Sequence, residues 1–343
     1  MFLFFLAFTT RTSFIMVLNK GIMHKAFTIA ALVLAICSGG QWSQAQESSS
    51  IVRLYPALDR IVPRSARLER LRDGYVFLEG PVWVRKGRYL LFSNMPEKRI
   101  EKWTPDGNIS VYLDLSQFWK TDKPDATLSN GLTVDPQGRL VYCSQLGRVV
   151  RIEKDGKHTI LAERYEGKHL TAPNDLVFKK NGSLYFTDLN TGGYQQELPN
   201  SVYLLKGGKL QVLLTGKVER PNGIALSPDE KYLYVNDVRK KTLWRFEVQS
   251  DDTIGNGRLL VDMNSVAGEG AADGMKVDKQ GNIYDSGPTG LWIISPEGKH
   301  LGTILTPDRV SNLAFGDSDG KTLYLTLHNA LYRIRLNIAG VRP

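Results

Sequence analysis

Six times along this chain, one oxygen-bearing side chain stands ahead of a short apolar run, a Gly- or Asp-containing turn and a second apolar run. Aligned on that residue, the copies open Glu79-Gly-Pro-Val-Trp, Asn130-Gly-Leu-Thr-Val, Asn174-Asp-Leu-Val-Phe, Asn222-Gly-Ile-Ala-Leu, Asp273-Gly-Met-Lys-Val and Asn312-Leu-Ala-Phe. The leading residues are 51, 44, 48, 51 and 39 positions apart. A unit of roughly 45 residues carrying about four strands is the mark of a β-propeller. The predicted fold is therefore all-β, a six-bladed β-propeller with four antiparallel strands per blade. Its 343 residues could make two domains by length alone, but propellers run this long as one.

The turns support the strand count. The first strand of a unit ends in Asp135-Pro-Gln-Gly, Lys180-Asn-Gly, Ser227-Pro-Asp-Glu, Asp278-Lys-Gln-Gly or Asp317-Ser-Asp-Gly, all hairpin chemistry. Second strands are near-copies, as in Leu184-Tyr-Phe-Thr, Leu233-Tyr-Val-Asn and Leu323-Tyr-Leu-Thr. The sixth unit starts at Asn312 and ends soon after Leu336, leaving room for about three strands. The alternating run Ala66–Leu78 is expected to supply the missing outer strand and close the ring, which removes free sheet edges. Long inserts at Asp114–Ser129, Ala162–Pro173, Asp188–Ser201 and Asp262–Ala272 all fall at the end where first strands begin. Long loops gathered on one rim of a rigid scaffold usually carry binding.

Residues 1–46 read as a targeting segment, with the propeller domain over 47–343. Met23-His-Lys is a short basic start, Ala26–Ile36 is apolar but too short to span a bilayer, and Ser43-Gln-Ala45 offers a cleavage site. The apolar stretch before Met23 is foreign to a signal peptide and points to translation starting at Met23. Export to the periplasm or medium follows, with no integral membrane segment left after cleavage. Cleavage removes Arg11, Lys20 and Lys25 and lowers the formal charge from +9 to about +6. The remaining Lys and Arg are scattered, without a basic helix or Arg-rich run, which argues against nucleic acid. Of the two cysteines only Cys143 remains, so no internal disulfide forms. Its alternating strand makes it a small buried hydrophobe.

First strands line the channel of a propeller, so the six leading side chains project toward one axis. They comprise two carboxylates and four amides, without His, Cys or Lys. Oxygen ligands without nitrogen or sulfur suit a hard divalent cation, Ca²⁺ before Mg²⁺ or Mn²⁺. Taken singly, each Asn-Gly or Asp-Gly is also an ordinary turn opening a strand. Glu79 ahead of Gly-Pro is poor turn material, and a ring of acceptors in register needs a cation, a donor or water.

Four motifs in order carry a resemblance: Glu79-Gly-Pro-Val-Trp; Ala172-Pro-Asn-Asp-Leu with Leu184-Tyr-Phe-Thr-Asp188; Arg220-Pro-Asn-Gly-Ile-Ala-Leu-Ser-Pro-Asp; and Ala272-Asp-Gly-Met-Lys-Val-Asp. From about residue 70 to 336 the chain resembles the senescence-marker-protein-30/gluconolactonase family of regucalcin-like lactonases. The resemblance implies a six-bladed propeller hydrolysing lactones with a divalent metal, commonly calcium, on its axis. It implies Glu79, Asn174, Asn222 and Asp273 as metal ligands, Asn174 also as a substrate contact, and Asp273 as the proton-transfer residue. Two features depart from the sugar-lactone members. Ala172 stands where they carry Arg, and the acidic residue some of them place near Gly192 is missing. Asn130 and Asn312 stand in register outside the family's metal set and read as structural, with Asn130 also a candidate substrate contact. His169, on the loop before Asn174, is a further candidate, and His328 a weaker one. His158 and His300 read as exposed hairpin residues, and Asp188 and Asp237 as backbone anchors. The expected partner is a small-molecule lactone or ester. A metal-bearing binding propeller and a calcium-dependent phosphotriester hydrolase are the alternatives. The chain holds no Gly-x-Ser-x-Gly elbow, phosphate loop or His-Glu-x-x-His.

Overall fold

Short β-rich runs with apolar residues on both faces pack only when sheets cover them on either side, and here the sheets stack radially. The computed structural model describes residues 51–121, 126–190 and 195–341; the targeting segment 1–46 and Gly192 lie outside them. Blade one comprises Leu78–Val84, Tyr89–Asn94, Arg99–Trp103 and Ile109–Asp114; blade two, Leu132–Val134, Leu140–Ser144, Arg148–Ile152 and His158–Ala162. Blade three is Pro173–Phe178, Leu184–Asp188, Ser201–Lys206 and Lys209–Thr215; blade four, Pro221–Leu226, Tyr232–Asp237, Thr242–Glu247 and Arg258–Asp262. Blade five runs Met275–Val277, Ile283–Gly287, Gly290–Ile294 and His300–Leu305, and blade six Val310–Gly316, Thr322–Leu327 and Ala330–Arg335. Each is an antiparallel meander from the axis outward.

Ring closure follows the sequence expectation. Glu69–Asp73, inside the Ala66–Leu78 run, pairs with Ala330–Arg335 as the outer strand of blade six. Glu69 faces Arg333, and the two form a paired carboxylate–guanidinium contact at 2.8 Å. A second N-terminal strand was not foreseen: Ile51–Arg53 adds to His300–Leu305, so blade five has five strands. Between the two strands, the short helix Leu58–Ile61 drives Leu58, Ile61 and Val62 into the apolar seam of blades five and six.

Burial is concentrated where blades face each other. Distinct apolar clusters fill the seams between blades one and two, two and three, three and four, four and five, five and six, and six and one. The tyrosine repeated in second strands (Tyr185, Tyr234, Tyr284, Tyr324) is buried in four of these seams. Buried hydroxyls find acceptors: Tyr185 donates to the Asp252 carbonyl at 2.7 Å and Tyr324 to Asp317 at 2.8 Å. Cys143 is buried and unbridged, as its strand position predicts. No helix among the described residues is long and apolar enough to cross a membrane.

Candidate metal and active site

Each leading residue is aimed by a local irregularity. In blades one, three, four and six, the pairing of the first two strands slips near the leading residue: between Glu79 and Val82, Pro173 and Leu176, Pro221 and Ile224, and Val310 and Asn312. A bulge leaves one residue unpaired and re-aims its neighbours. The glycine that follows the leading residue has a separate cause. At Gly80, whose φ is +46°, a Cβ would lie 2.1 Å from the carbonyl oxygen of Asn130 in the next blade. At Gly223 it would lie 2.1 Å from the Asp273 carbonyl. Adjacent first strands therefore touch backbone to backbone around the axis, and only glycine permits that approach. Amides cross the same seams, Gly131 N–H to Asn174 O at 2.8 Å and Gly274 N–H to Ser311 O at 2.7 Å.

Second strands pin what the bulges aim. Ser93 Oγ donates to the Asn130 carbonyl at 2.8 Å, and Thr187 Oγ1 to the Asn222 carbonyl at 2.7 Å. Asn236 Nδ2 donates to the Asp273 carbonyl at 2.5 Å. In each pair a polar side chain near the end of one blade's second strand fixes the leading residue of the next blade. The near-identity of the second strands was visible in the sequence; this reach across the seam was not.

At the axis the structure brings Glu79, Asn222 and Asp273 together. Glu79 is buried, with Oε2 accepting from Gly80 N–H at 2.8 Å and from Asn312 Nδ2 at 3.2 Å. Burial, reinforced by the negative charge of Asp175, pushes its carboxyl up to about 7 against those two donors. Asp273 is half-buried. Surrounding protein, and then Glu79 and Asp175, still raise its carboxyl well above the ordinary range, opposed by a hydrogen bond from the Asn222 side chain. Asn222 Oδ1 and Asn130 Oδ1 are buried without a hydrogen-bond partner. Asn174 is likewise buried, its carbonyl accepting from Gly131 N–H.

Two carboxylates that resist ionising together, beside orphaned amide oxygens, form a donor set short of a cation. Glu79, Asn222 and Asp273 with Asn174 fit a divalent ion by donor chemistry. Among the described residues no three His, Cys, Asp or Glu side chains are placed to hold a metal ion by themselves. Amide oxygens must therefore complete any coordination.

Asn312 departs from the expected ring of six open acceptors. Its Oδ1 accepts from Leu313 N–H at 2.8 Å and Lys276 Nζ at 3.2 Å, so it is already committed. Two groups went unread in the sequence. Asp175 occupies the position glycine fills in blades one, two, four and five, and its buried carboxylate joins the cluster. Asp285 is buried in blade five, its Oδ1 held by Asn236 Nδ2 at 2.7 Å and its Oδ2 unpartnered. The signal for Asp175 was the break in the glycine pattern. For Asp285 no local signal exists, because its neighbour Asn236 comes from another blade.

The histidines divide. His169 lies in a small hairpin, Arg164–Tyr165 with Lys168–His169, where its ring meets Arg164 and its N–H donates to Glu197 at 3.0 Å. Among the described residues no hydrogen bond or ring contact links it to Glu79, Asn222 or Asp273. His328 packs on Phe77 with ring centres 4.5 Å apart, and burial lowers its basicity. His158 and His300 are half-buried, not exposed: His158 stacks on Phe118 at 3.9 Å and His300 on Trp292 at 3.6 Å. Aromatic partners from the insert of blade one and from the neighbouring strand of blade five cover them, which hairpin position alone did not reveal. Asp188 and Asp237 are backbone anchors as expected. Asp188 accepts from Thr171 and Ala172 N–H at 2.9 and 2.6 Å, and Asp237 from Glu219, Arg239 and Lys240 N–H. Ala172 is buried, its methyl occupying the position where Arg was expected from the resemblance.

The sequence profile of the SMP-30/Gluconolactonase/LRE-like region matches residues 77–329. The chain belongs to this family. A gluconolactonase of Zymomonas mobilis is 33% identical over 317 residues, covering 84% of this chain and 87% of that protein. A 6-deoxy-6-sulfogluconolactonase of Pseudomonas putida is 32% identical over 264 residues, covering 75% and 84%. A solved gluconolactonase structure from Xanthomonas campestris superimposes with a TM-score of 0.74 at 30% identity, covering 84% of this chain and 95% of that one. At 18% identity and a TM-score of 0.66, a calcium-binding regucalcin from Agrobacterium tumefaciens, covering 80% of this chain and 96% of its own, shares the fold.

Proposed function

We propose that this protein is an exported, divalent-cation-dependent lactone hydrolase working at the axial cluster, with calcium as the ion. The observation that carries this reading is the pairing of Glu79 and Asp273 around the unpartnered oxygen of Asn222, in a chain whose relatives are gluconolactonases. Glu79, Asn174, Asn222 and Asp273 would hold the cation. When bound, a divalent ion there supplies Lewis-acid polarisation of a lactone carbonyl and charge stabilisation of its oxyanion. As a carboxylate, Asp273 would take the proton of a water whose oxygen bonds to the carbonyl carbon. Asp273 returns that proton to the ring oxygen as the C–O bond opens, releasing the hydroxy acid. Asn174 and Asn130 would orient the substrate.

The substrate class is a lactone, and Ala172 narrows it. A buried methyl cannot form the bidentate contacts an arginine offers to oxygen acceptors, so recognition of sugar hydroxyls must rest on other groups. A panel of sugar, aliphatic and aryl lactones, assayed with calcium and with EDTA, tests the reading. Turnover abolished by EDTA and by Asp273→Asn supports it; unchanged turnover in either arm sinks it. Export is checked by N-terminal sequencing of protein from the periplasm or medium, with cleavage after Ala45 expected.

A further inference from the structure

A lysine ammonium sits inside the channel below the acidic cluster. Lys276, in the first strand of blade five, places Nζ 2.9 Å from the Met275 carbonyl, 3.2 Å from Asn312 Oδ1 and 3.6 Å from Asp175 Oδ2. An ammonium has three protons to donate, and here three oxygens face it. The same side chain lines the far end of the channel. That end is a cavity of about 240 Å³ walled by Trp83, Thr133, Val177, Ala225 and Phe315, one residue from each of the other blades. The apolar stem thus belongs to the cavity and the charged head to the cluster.

We propose that Lys276 is a resident cation of the channel, a positioning residue that sets both the charge and the donor orientation of the axial site so that it takes a single divalent ion. The inference rests on the axial-metal reading above. Two consequences of the contacts carry it. With its oxygen on Lys276, Asn312 is turned so that Nδ2 donates to Glu79 Oε2 at 3.2 Å and to Asp175 Oδ2 at 3.5 Å. It therefore braces the ligands and cannot be one. The Lys276 ammonium, 3.6 Å from Asp175 Oδ2, offsets one negative charge of the carboxylate cluster. Without the lysine the cluster would be one negative charge richer, and Asn312 Oδ1 would keep only the Leu313 N–H as its donor.

The test is cation selectivity, read by calorimetry for Ca²⁺ and by luminescence for Tb³⁺ on folded protein. Wild type should bind one Ca²⁺ per chain. Lys276→Met should raise the affinity for Tb³⁺ relative to Ca²⁺ at least tenfold or admit a second calcium, and adding Asp175→Asn should return the ratio to the wild-type value. Asp175→Asn alone, which leaves the lysine in place, should move the ratio the other way; it decides the matter if Lys276→Met does not fold. A wild-type protein that binds one calcium, with ratios in these variants within twofold of wild type, overturns this proposal alone. A wild type that binds no cation overturns the axial-metal reading and this proposal with it.

Discussion

Glu79 sits 2% exposed among like charges, and its carboxyl is pushed up to about 7 in the cation-free protein, above an ordinary value of 4.5. The folded state therefore binds a proton more tightly than the unfolded chain between those values. Stability is greatest below the lower value and is lost as pH rises through the upper one, by roughly 3 kcal/mol for this group. Asp273 is shifted in the same direction, with burial and Glu79 as its causes, and adds to the loss. Chelated protein should melt at a lower temperature at pH 8 than at pH 5.5, with the slope reduced in Glu79→Gln. Saturating calcium should remove the drop, because a cation selects the ionised carboxylates. A chelated melting temperature that stays level or climbs over that range would refute the assignment. For turnover, Asp273→Asn should lower kcat by at least about 100-fold, the ordinary contribution of a positioned proton-transfer group. Near-ultraviolet dichroism should confirm that the variant stays folded.

At the scale of the strand, the unit of design is the bulge, its glycine and the side chain that pins it from the neighbouring blade. Gly223→Ala places a methyl 2.1 Å from the Asp273 carbonyl oxygen, 2.8 Å from Asn236 Nδ2 and 3.1 Å from the Met275 amide nitrogen. Overpacking of this kind costs about 1–3 kcal/mol. It should also weaken cation binding, because the carbonyl that must move belongs to a ligand; calorimetry on the variant checks both. Thr187→Val keeps the shape but leaves the Asn222 carbonyl unpaired in a buried seam. A loss of about 1–3 kcal/mol is expected in urea unfolding, with calcium affinity falling alongside. A Thr187→Ser variant should recover most of both. Second strands thus act on the site through the backbone carbonyls of its leading residues, and Ser93 and Asn236 hold equivalent positions in their own blades.

Across the whole molecule the N-terminal segment closes the ring. A chain beginning after Asp73 would leave Ala330–Arg335 as an unpaired edge and should associate or aggregate, seen by light scattering. A chain beginning at Ala66 keeps the closing strand but loses Leu58, Ile61 and Val62 from the seam of blades five and six. It should keep the oligomeric state of the full chain and melt several degrees lower, since each buried aliphatic side chain contributes about 1.5–3 kcal/mol. A variant lacking residues through Asp73 that kept the oligomeric state and stability of the full chain would show that the ring needs no such closure.

The order of polar lead, turn and apolar run repeats within each blade, so strand number, blade number and the outer closing strand could all be read along the chain. The leading residues could be named for the same reason, as chemistry that recurs at fixed spacing. What lies opposite those residues could not be read, because neighbours around a propeller axis are some 40 to 50 positions apart or more. Only the folded ring brings Asn312 of the sixth blade to Glu79 of the first, slips Asp175 into a slot built for glycine, and sets Lys276 beneath both. The covalent chain determined which oxygens were on offer. Closure of the ring decided which of them remain free for a cation, since burial and the partner across each seam, not local sequence, fix their hydrogen bonds and their charge.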